Sequence, residues 1–270
     1  MKRMIPLLAA LAVSPAALAQ ETFAERVAEA STGDHRSEAN IARNEYRHPV
    51  ETLEFFGFED GEKVLEIWPG GGWYTEVLAP AIRDNGTFVI ANWDPEVPDQ
   101  PGYRYSLPKQ LAEKFANDPE VYDQVEIVYF SSPETGSLGE DDTYDTILTF
   151  RNTHGWVGAG EAQGMFNEFA RVLKSGGTLG VVQHRADDGT DPAVTAKNGY
   201  VSEEYVKELA ANAGLEFVAA SEVNANPKDT KDHPRGVWTL PPGLALGDED
   251  KARYEAIGES DRMTLKFTKP

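Results

Sequence analysis

Val64-Leu65-Glu66-Ile67-Trp68-Pro69-Gly70-Gly71-Gly72-Trp73-Tyr74-Thr75-Glu76 decides the fold. An apolar run carrying one acid breaks into three consecutive glycines, and the pattern after them is helical through Thr75, Val77, Leu78 and Ala81. Strand, glycine turn and helix in that order build a ligand site in open α/β sheets. Glycine lets the backbone come close to a ligand, and the start of the helix offers free N–H groups.

Outward from this stretch, apolar strands alternate with helices. The first strand is read as residues 63–68 and the helix after the glycines as 73–83. Strands are expected at Thr87–Asn92, 125–130, Tyr144–Phe150, 178–182 and 215–221, and an alternating last strand at 263–268. Residues 160–173 form the most regular helix, with Met165, Phe166, Phe169, Ala170 and Leu173 in one stripe and Ser175-Gly176-Gly177 ending it. Ser202 is placed to cap a further helix. Proline-rich residues 95–108 read as loop, followed by a short helix at 111–115. The pattern predicts a doubly wound, mostly parallel, seven-stranded α/β sheet with an antiparallel edge hairpin. Residues 20–62 read as an N-terminal helical extension and 63–270 as the α/β domain. The stretch at about 224–260 has little periodicity and is a candidate lid.

The 270 residues, 40% hydrophobic, suit one sizeable core. Residues 1–19 have the form of a secretory signal: Lys2-Arg3, a short apolar run, then Ala17-Leu18-Ala19 before Gln20. That pattern points to export, to the periplasm, with no stable membrane span after the signal is removed. Cysteine is absent, so the fold depends on no disulfide. A formal net charge of −20 argues against nucleic acid and anionic membrane as partners and leaves a small molecule. The five histidines are scattered, with no metal spacing.

Glu66-Ile67-Trp68-Pro69-Gly70-Gly71-Gly72 stands where the class I S-adenosylmethionine-dependent methyltransferases carry an acid-hydrophobic-Gly-x-Gly-x-Gly motif, and the mature chain resembles that family. Gly70 and Gly72 match its second and third glycines, and Trp68 stands in place of the first. Asp145 opens the fourth strand, Leu173-Lys174-Ser175-Gly176-Gly177 looks like the family's turn before the fifth, and the edge hairpin fits as well. The signal, the Trp-Pro-Gly-Gly-Gly turn and Asp261-Arg262-Met263 resemble, more narrowly, a group of exported bacterial predicted methyltransferases.

The resemblance implies S-adenosylmethionine as cofactor and methyl transfer to a small molecule. It places Gly70, Gly71 and Gly72 along the ligand's carboxylate or ribose side, with Trp68 stacking on the pocket or filling it. Glu66 is implied to orient the methionine amino group, and Asp94, with Asn92 second, to hold the ribose. The adenine side falls near Ser131 and Ser132. Arg151, Asn152 and His154 follow the fourth strand, and His184 and Arg185 the fifth, at the sheet edge where substrates bind. His154 is a candidate general base, although methyl transfer needs mostly positioning. Arg47-His48-Pro49 and His233-Pro234-Arg235 are segments that could close over the crevice.

Two other readings stay open. An exported enzyme needs a supply of a cofactor made in the cytoplasm, so the fold could hold another ligand without catalysis. A nicotinamide-dependent oxidoreductase is the remote alternative. The spacing of Tyr105 and Lys109 suits one, but Pro108 argues against a helix there.

Overall fold

The computed structural model describes residues 21–270; the expected signal at residues 1–19 lies outside the described residues. In chain order, α1 (Phe23–Ser31), α2 (Glu38–Ile41), α3 (Asn44–Arg47) and α4 (Pro49–Phe56) precede β1 (Lys63–Ile67). Then come α5 (Thr75–Ile82), β2 (Thr87–Asn92), α6 (Tyr103–Asn117), α7 (Pro119–Tyr122), β3 (Glu126–Tyr129) and β4 (Tyr144–Phe150). The remainder runs α8 (Thr153–Ala159), α9 (Ala162–Val172), β5 (Leu173–Ala186), α10 (Pro192–Thr195), β6 (Val201–Ser202), α11 (Glu203–Asn212), β7 (Glu216–Ser221), α12 (Lys251–Ile257) and β8 (Arg262–Thr268).

The main sheet has the order β3-β2-β1-β4-β5-β8-β7, with β6 pairing beside β5 off this path. Its strands are parallel except β8, which runs antiparallel between β5 and β7. The expected doubly wound sheet with an antiparallel edge pair is therefore present. The pair is joined not by a tight turn but by the long 222–261 segment, and the antiparallel strand lies inside the edge.

Successive side chains of a strand point to opposite faces, and the core follows that rule. Leu65, Ile67, Val89, Ala91, Ile147, Leu179 and Val181 pack with Met165, Phe166 and Phe169 of α9 and with Val206 and Leu209 of α11. Val64, Phe88, Ile90, Leu148 and Val182 pack on the other face with Val77 and Leu78 of α5, Leu53 and Phe56 of α4, and Val27 of α1. Strands buried on both faces read as continuous apolar runs, which is why β1, β2 and β4 were legible. Asp145 ties the lower edge together: its carboxylate accepts from the Lys63 N–H at 2.9 Å and from Lys174 Nζ at 2.8 Å.

Three local expectations are corrected. The helix at Tyr103–Asn117 contains Pro108. Proline removes one helical bond, and the buried Pro108 and Leu111 hold the helix on the domain, so packing outweighs propensity. The residues expected simply to follow the fourth strand turn at once into α8. Ser175-Gly176-Gly177 does not simply close a helix. It lies within the 14-residue β5, whose register with β4 shifts between Tyr144 and Thr146. Ser202 caps α11 as expected, its Oγ accepting from the Tyr205 N–H.

The segment before β8 folds back over the C-terminal edge of the sheet. Asn224 Nδ2 donates to Thr52 Oγ1 and Thr264 Oγ1, each at 2.9 Å. The buried Asp229 carboxylate accepts from Tyr200 Oη, His233 Nε2 and the Lys231 and Asp261 N–H groups. Gly236 has φ 54° and passes so close to residue 198 that a Cβ there would lie 2.1 Å from the Asn198 oxygen. Only glycine fits. Among the described residues no helix is long and apolar enough to cross a membrane.

Candidate functional site

The strand order reverses between β1 and β4, and open α/β sheets bind ligands in the crevice beyond such a point. Two non-glycine residues with left-handed backbone sit there on adjacent strand ends. Trp68 (φ 43°) follows β1, and Arg151 (φ 64°) directly follows β4. Such residues cost on the order of 1–3 kcal/mol each and persist only where the surroundings dictate them. Here the Trp68 N–H donates to the Ala91 carbonyl at 2.9 Å and the Arg151 N–H to that of Val182 at 2.7 Å. Asn152 fixes the same corner, its Nδ2 donating to the Ile67 carbonyl at 2.8 Å and to Thr149 Oγ1 at 3.2 Å. The glycine turn follows, with φ 61° at Gly70 and 79° at Gly72. A Cβ on Gly72 would meet Leu111 at 2.7 Å, whereas Gly70 and Gly71 face open space.

The crevice has three neighbouring lobes that share lining residues. The central one, about 280 Å³, lies between the glycine turn (Gly70, Gly71) and Arg43, Arg151, His154 and His184. An aromatic lobe of about 420 Å³ is walled by Trp68, Trp93, Tyr103, Arg104 and Leu107. A third, about 150 Å³, lies between Arg151, His184, Glu259, Ser260 and the Pro241-Pro242 turn. Trp238 and Arg151 border all three. The Trp68 indole is locked as a wall: its Nε1 donates to the Phe130 carbonyl at 2.8 Å and its ring lies 5.2 Å from that of Trp93. Arg104 approaches both rings, its guanidinium 5.3 Å from Trp68 and 5.9 Å from Trp93.

Of the expected residues, Trp68, Gly70, Gly71, Arg151, Asn152, His154 and His184 come together on this crevice, and Gly72 shapes the turn. The others go elsewhere. Glu66 lies beneath the turn, 1% exposed, accepting from Thr75 Oγ1 at 2.6 Å, so it braces the turn from below. Burial raises its carboxyl to about 7, against opposing effects of Thr75 and Arg151. Asn92 and Asp94 flank Trp93, and it is Trp93 that turns into the crevice. Asn92 Oδ1 accepts from the Trp93 N–H at 3.0 Å and Asp94 Oδ1 from the Glu96 N–H at 2.9 Å. One oxygen of each side chain, the pair expected to hold the ribose, is thus engaged by local backbone, and neither residue lines the lobes described above.

Arg185 is also corrected. Neighbouring residues on β5 point to opposite sides, and Arg185 faces away from the crevice into Glu203, Glu222 and Asp261 at 2.8–3.0 Å. His184 stays on the crevice with Nδ1 2.5 Å from Ser260 Oγ. Burial, then His154 and Arg151, push its pKa far below the ordinary histidine value. His154 is lowered to about 4, chiefly by burial. Gln183 Nε2, which donates to the Gly199 carbonyl at 2.8 Å, lies 3.3 Å from His154 Nδ1. Nδ1 then accepts, and the neutral ring presents an Nε2–H. In that tautomer His154, the candidate general base, faces the crevice as a hydrogen-bond donor. His233, one of the segments expected to close over the crevice, is buried against Asp229 instead.

Sequence reasoning missed Arg43, Arg104, Trp238, Glu259 and Ser260. A lone tryptophan in the aperiodic 224–260 stretch was the one available signal, because an isolated Trp outside a periodic element has no core to join. Glu259 collects three arginines: Arg43 Nε at 2.6 Å, Arg47 Nε at 3.1 Å and Arg262 Nη1 at 3.0 Å. Burial works to raise its carboxyl, but the Arg47, Arg262 and Arg43 charges outweigh this and hold it at about 2. Among the described residues no group of three or more histidine and acidic side chains is arranged to hold a metal ion.

No family model and no curated protein sequence matches the chain. Solved structures do match in fold. An S-adenosylmethionine-dependent methyltransferase from Aquifex aeolicus is 22% identical with a TM-score of 0.51, over 68% of this chain and 87% of that one. A second, from Methanosarcina mazei, is 12% identical with a TM-score of 0.53, over 80% and 96%. The cyclase SpnF is 17% identical with a TM-score of 0.54, over 88% and 85%. The chain has the methyltransferase fold, and one protein with that fold is a cyclase.

Proposed function

We propose that this protein binds S-adenosylmethionine in the three-lobed crevice and, after export to the periplasm, supports transfer of its methyl group to a small molecule. One observation carries the reading: an aromatic lobe and a glycine-turn lobe meet across the Trp68–Trp93 wall at the switch point of the sheet. An adenine-sized ring suits the lobe of Trp68, Trp93 and Tyr103. The backbone at Gly70 and Gly71, with no side chain to obstruct it, suits the methionine end. The combined space is in the range of small-molecule sites. Trp93 Nε1 and Arg104 Nε are buried donors without protein partners, which is the chemistry a polar ligand would satisfy.

The bound cofactor would supply an electrophilic methyl carbon. The chain's own residues would do the positioning. Asn152 locks β4 to β1 beneath the reacting region, His154 donates a hydrogen bond from its Nε2–H, and Trp238 covers the mouth and limits water. Holding the acceptor in line accounts for much of the rate in such transfers.

A second reading, a non-catalytic protein holding another ligand, is favoured by Trp68 standing in the first glycine's place and by Asn92 and Asp94 not lining the lobes. Calorimetry with S-adenosylmethionine, S-adenosylhomocysteine and NAD separates the two. Micromolar binding of the first pair but not NAD supports the methyltransferase reading. A folded protein that binds neither of the pair refutes it.

A further inference from the structure

The crevice floor holds an imbalance of charge. Arg43, Arg47, Arg151 and Arg262 cluster around one ionised carboxylate, Glu259, which hydrogen-bonds three of them. Arg151 has no carboxylate partner among the described residues, and its Nε is buried without any partner. Arg47 is 0% exposed, and both its Nη atoms lack partners. Its guanidinium also lies 4.7 Å from the Trp73 ring, which that of Arg36 approaches at 4.6 Å. Glu66, the other acid near Arg151, is raised by burial toward its neutral form. Arg151 is thus a buried guanidinium on all three lobes with no carboxylate among the described residues, which is a place suited to an anion.

The position of this charge identifies which ligand it serves. The glycine turn and the aromatic lobe lie on the β1–β2 side of Arg151. Glu259, Ser260 and His184 lie on its β5–β8 side, around the third lobe. We infer that the acceptor molecule carries an oxyanion, a carboxylate or a phosphate, bound by Arg151 with Arg43 at the border of the central and third lobes. His184 and Ser260 then meet its remaining polar atoms. A guanidinium is the group that pairs with such an anion in two hydrogen bonds at once. This rests on the methyl-transfer reading for the word acceptor, but the anion site itself does not.

The test is calorimetric titration of the purified protein with inorganic phosphate and with succinate, alone and with saturating S-adenosylhomocysteine. Saturable binding of either probe is expected, and whichever binds tighter tells phosphate from carboxylate. Arg151→Gln should weaken it by about tenfold or more, the loss of a charge-assisted pair, while Arg151→Lys retains more than Gln does. Arg43→Gln, at a partly exposed position, should weaken it several-fold and serves if Arg151→Gln fails to fold. Bound S-adenosylhomocysteine should leave the anion affinity within about twofold. Displacement of the anion by S-adenosylhomocysteine would assign the arginines to the methionine carboxylate and overturn the inference, as would absence of saturable binding or indifference to the arginine variants. Anion binding that is lost in Arg151→Gln, in a protein blind to S-adenosylhomocysteine, keeps the site and removes the methyl-transfer reading.

Discussion

Replacing Trp68 by glycine separates two roles the indole could have, wall or plug. The side chain is 5% exposed, packs against Trp93 and Trp156, and donates to the Phe130 carbonyl. Truncating a buried aromatic costs about 3–5 kcal/mol. The lost hydrogen bond adds about 1 kcal/mol and leaves a buried carbonyl unpaired. Glycine returns about 1–2 kcal/mol, because φ 43° strains tryptophan and suits glycine. The net is a loss of about 3 kcal/mol, which for a chain of this size lowers Tm by about 6–12 °C. Thermal unfolding followed by circular dichroism measures that, and calorimetry on the folded variant measures S-adenosylhomocysteine affinity. If the indole forms the wall on which the adenine rests, affinity falls by about tenfold or more, as expected from losing a stacking surface. Unchanged stability would refute the packing account. Tighter binding in the variant would show that the indole plugs the site, and the proposed binding mode would fall with it.

Three further outcomes follow from the charges. Burial raises Glu66 to about 7 from an unfolded value near 4.5, so its contribution is complete below 4.5 and is lost as pH rises through 7. The stability difference between wild type and Glu66→Gln, measured in urea at pH 5 and pH 8, should therefore change by about 3 kcal/mol; a flat difference refutes the burial argument. Glu259 behaves oppositely: held at about 2, it stabilises above 4.5 and loses that effect as pH falls toward 2. Glu259→Gln strands three arginines and should cost about 3–5 kcal/mol at neutral pH, and a loss below 1 kcal/mol in the same urea titration would contradict the cluster's geometry. Arg185→Gln removes a hub for three carboxylates outside the crevice, so it should lower stability by about 2 kcal/mol yet leave ligand affinity unchanged. Lost affinity with intact folding would return Arg185 to the site.

The sheet was legible because β1, β2 and β4 are buried on both faces and read as mostly apolar runs. Helix α6 was not, because Pro108 is a local signal and the burial of Leu111 is a tertiary one. The site divides in the same way. Strand ends announce themselves, so Arg151, Asn152, His154 and His184 were found by counting from β4 and β5. Which way a side chain turns past a strand end depends on backbone bends such as φ 64° at Arg151, and no spacing rule carries that. At the end of β2 it is Trp93, between Asn92 and Asp94, that lines the lobes, which counting along the strand does not show. Glu259 and Trp238 reach the crevice from a segment distant in sequence, which only the closed fold brings near.

The antiparallel course of β8 has a consequence for how such a protein can change. Because β7 ends and β8 begins at the same edge as the crevice, the connection of residues 222–261 lies at that edge, and its residues 237, 238, 241–243, 259 and 260 line the crevice. Closure entropy grows only logarithmically, so extending a short connection to this length costs about 2 kcal/mol before any contact is made. The anchors at Asn224 and Asp229 offset that with buried hydrogen bonds. Insertions and deletions here would alter which molecules reach Arg151 while leaving every strand in register. The fold thus separates the part that must be kept from the part that can vary, and selectivity can drift along one segment of chain.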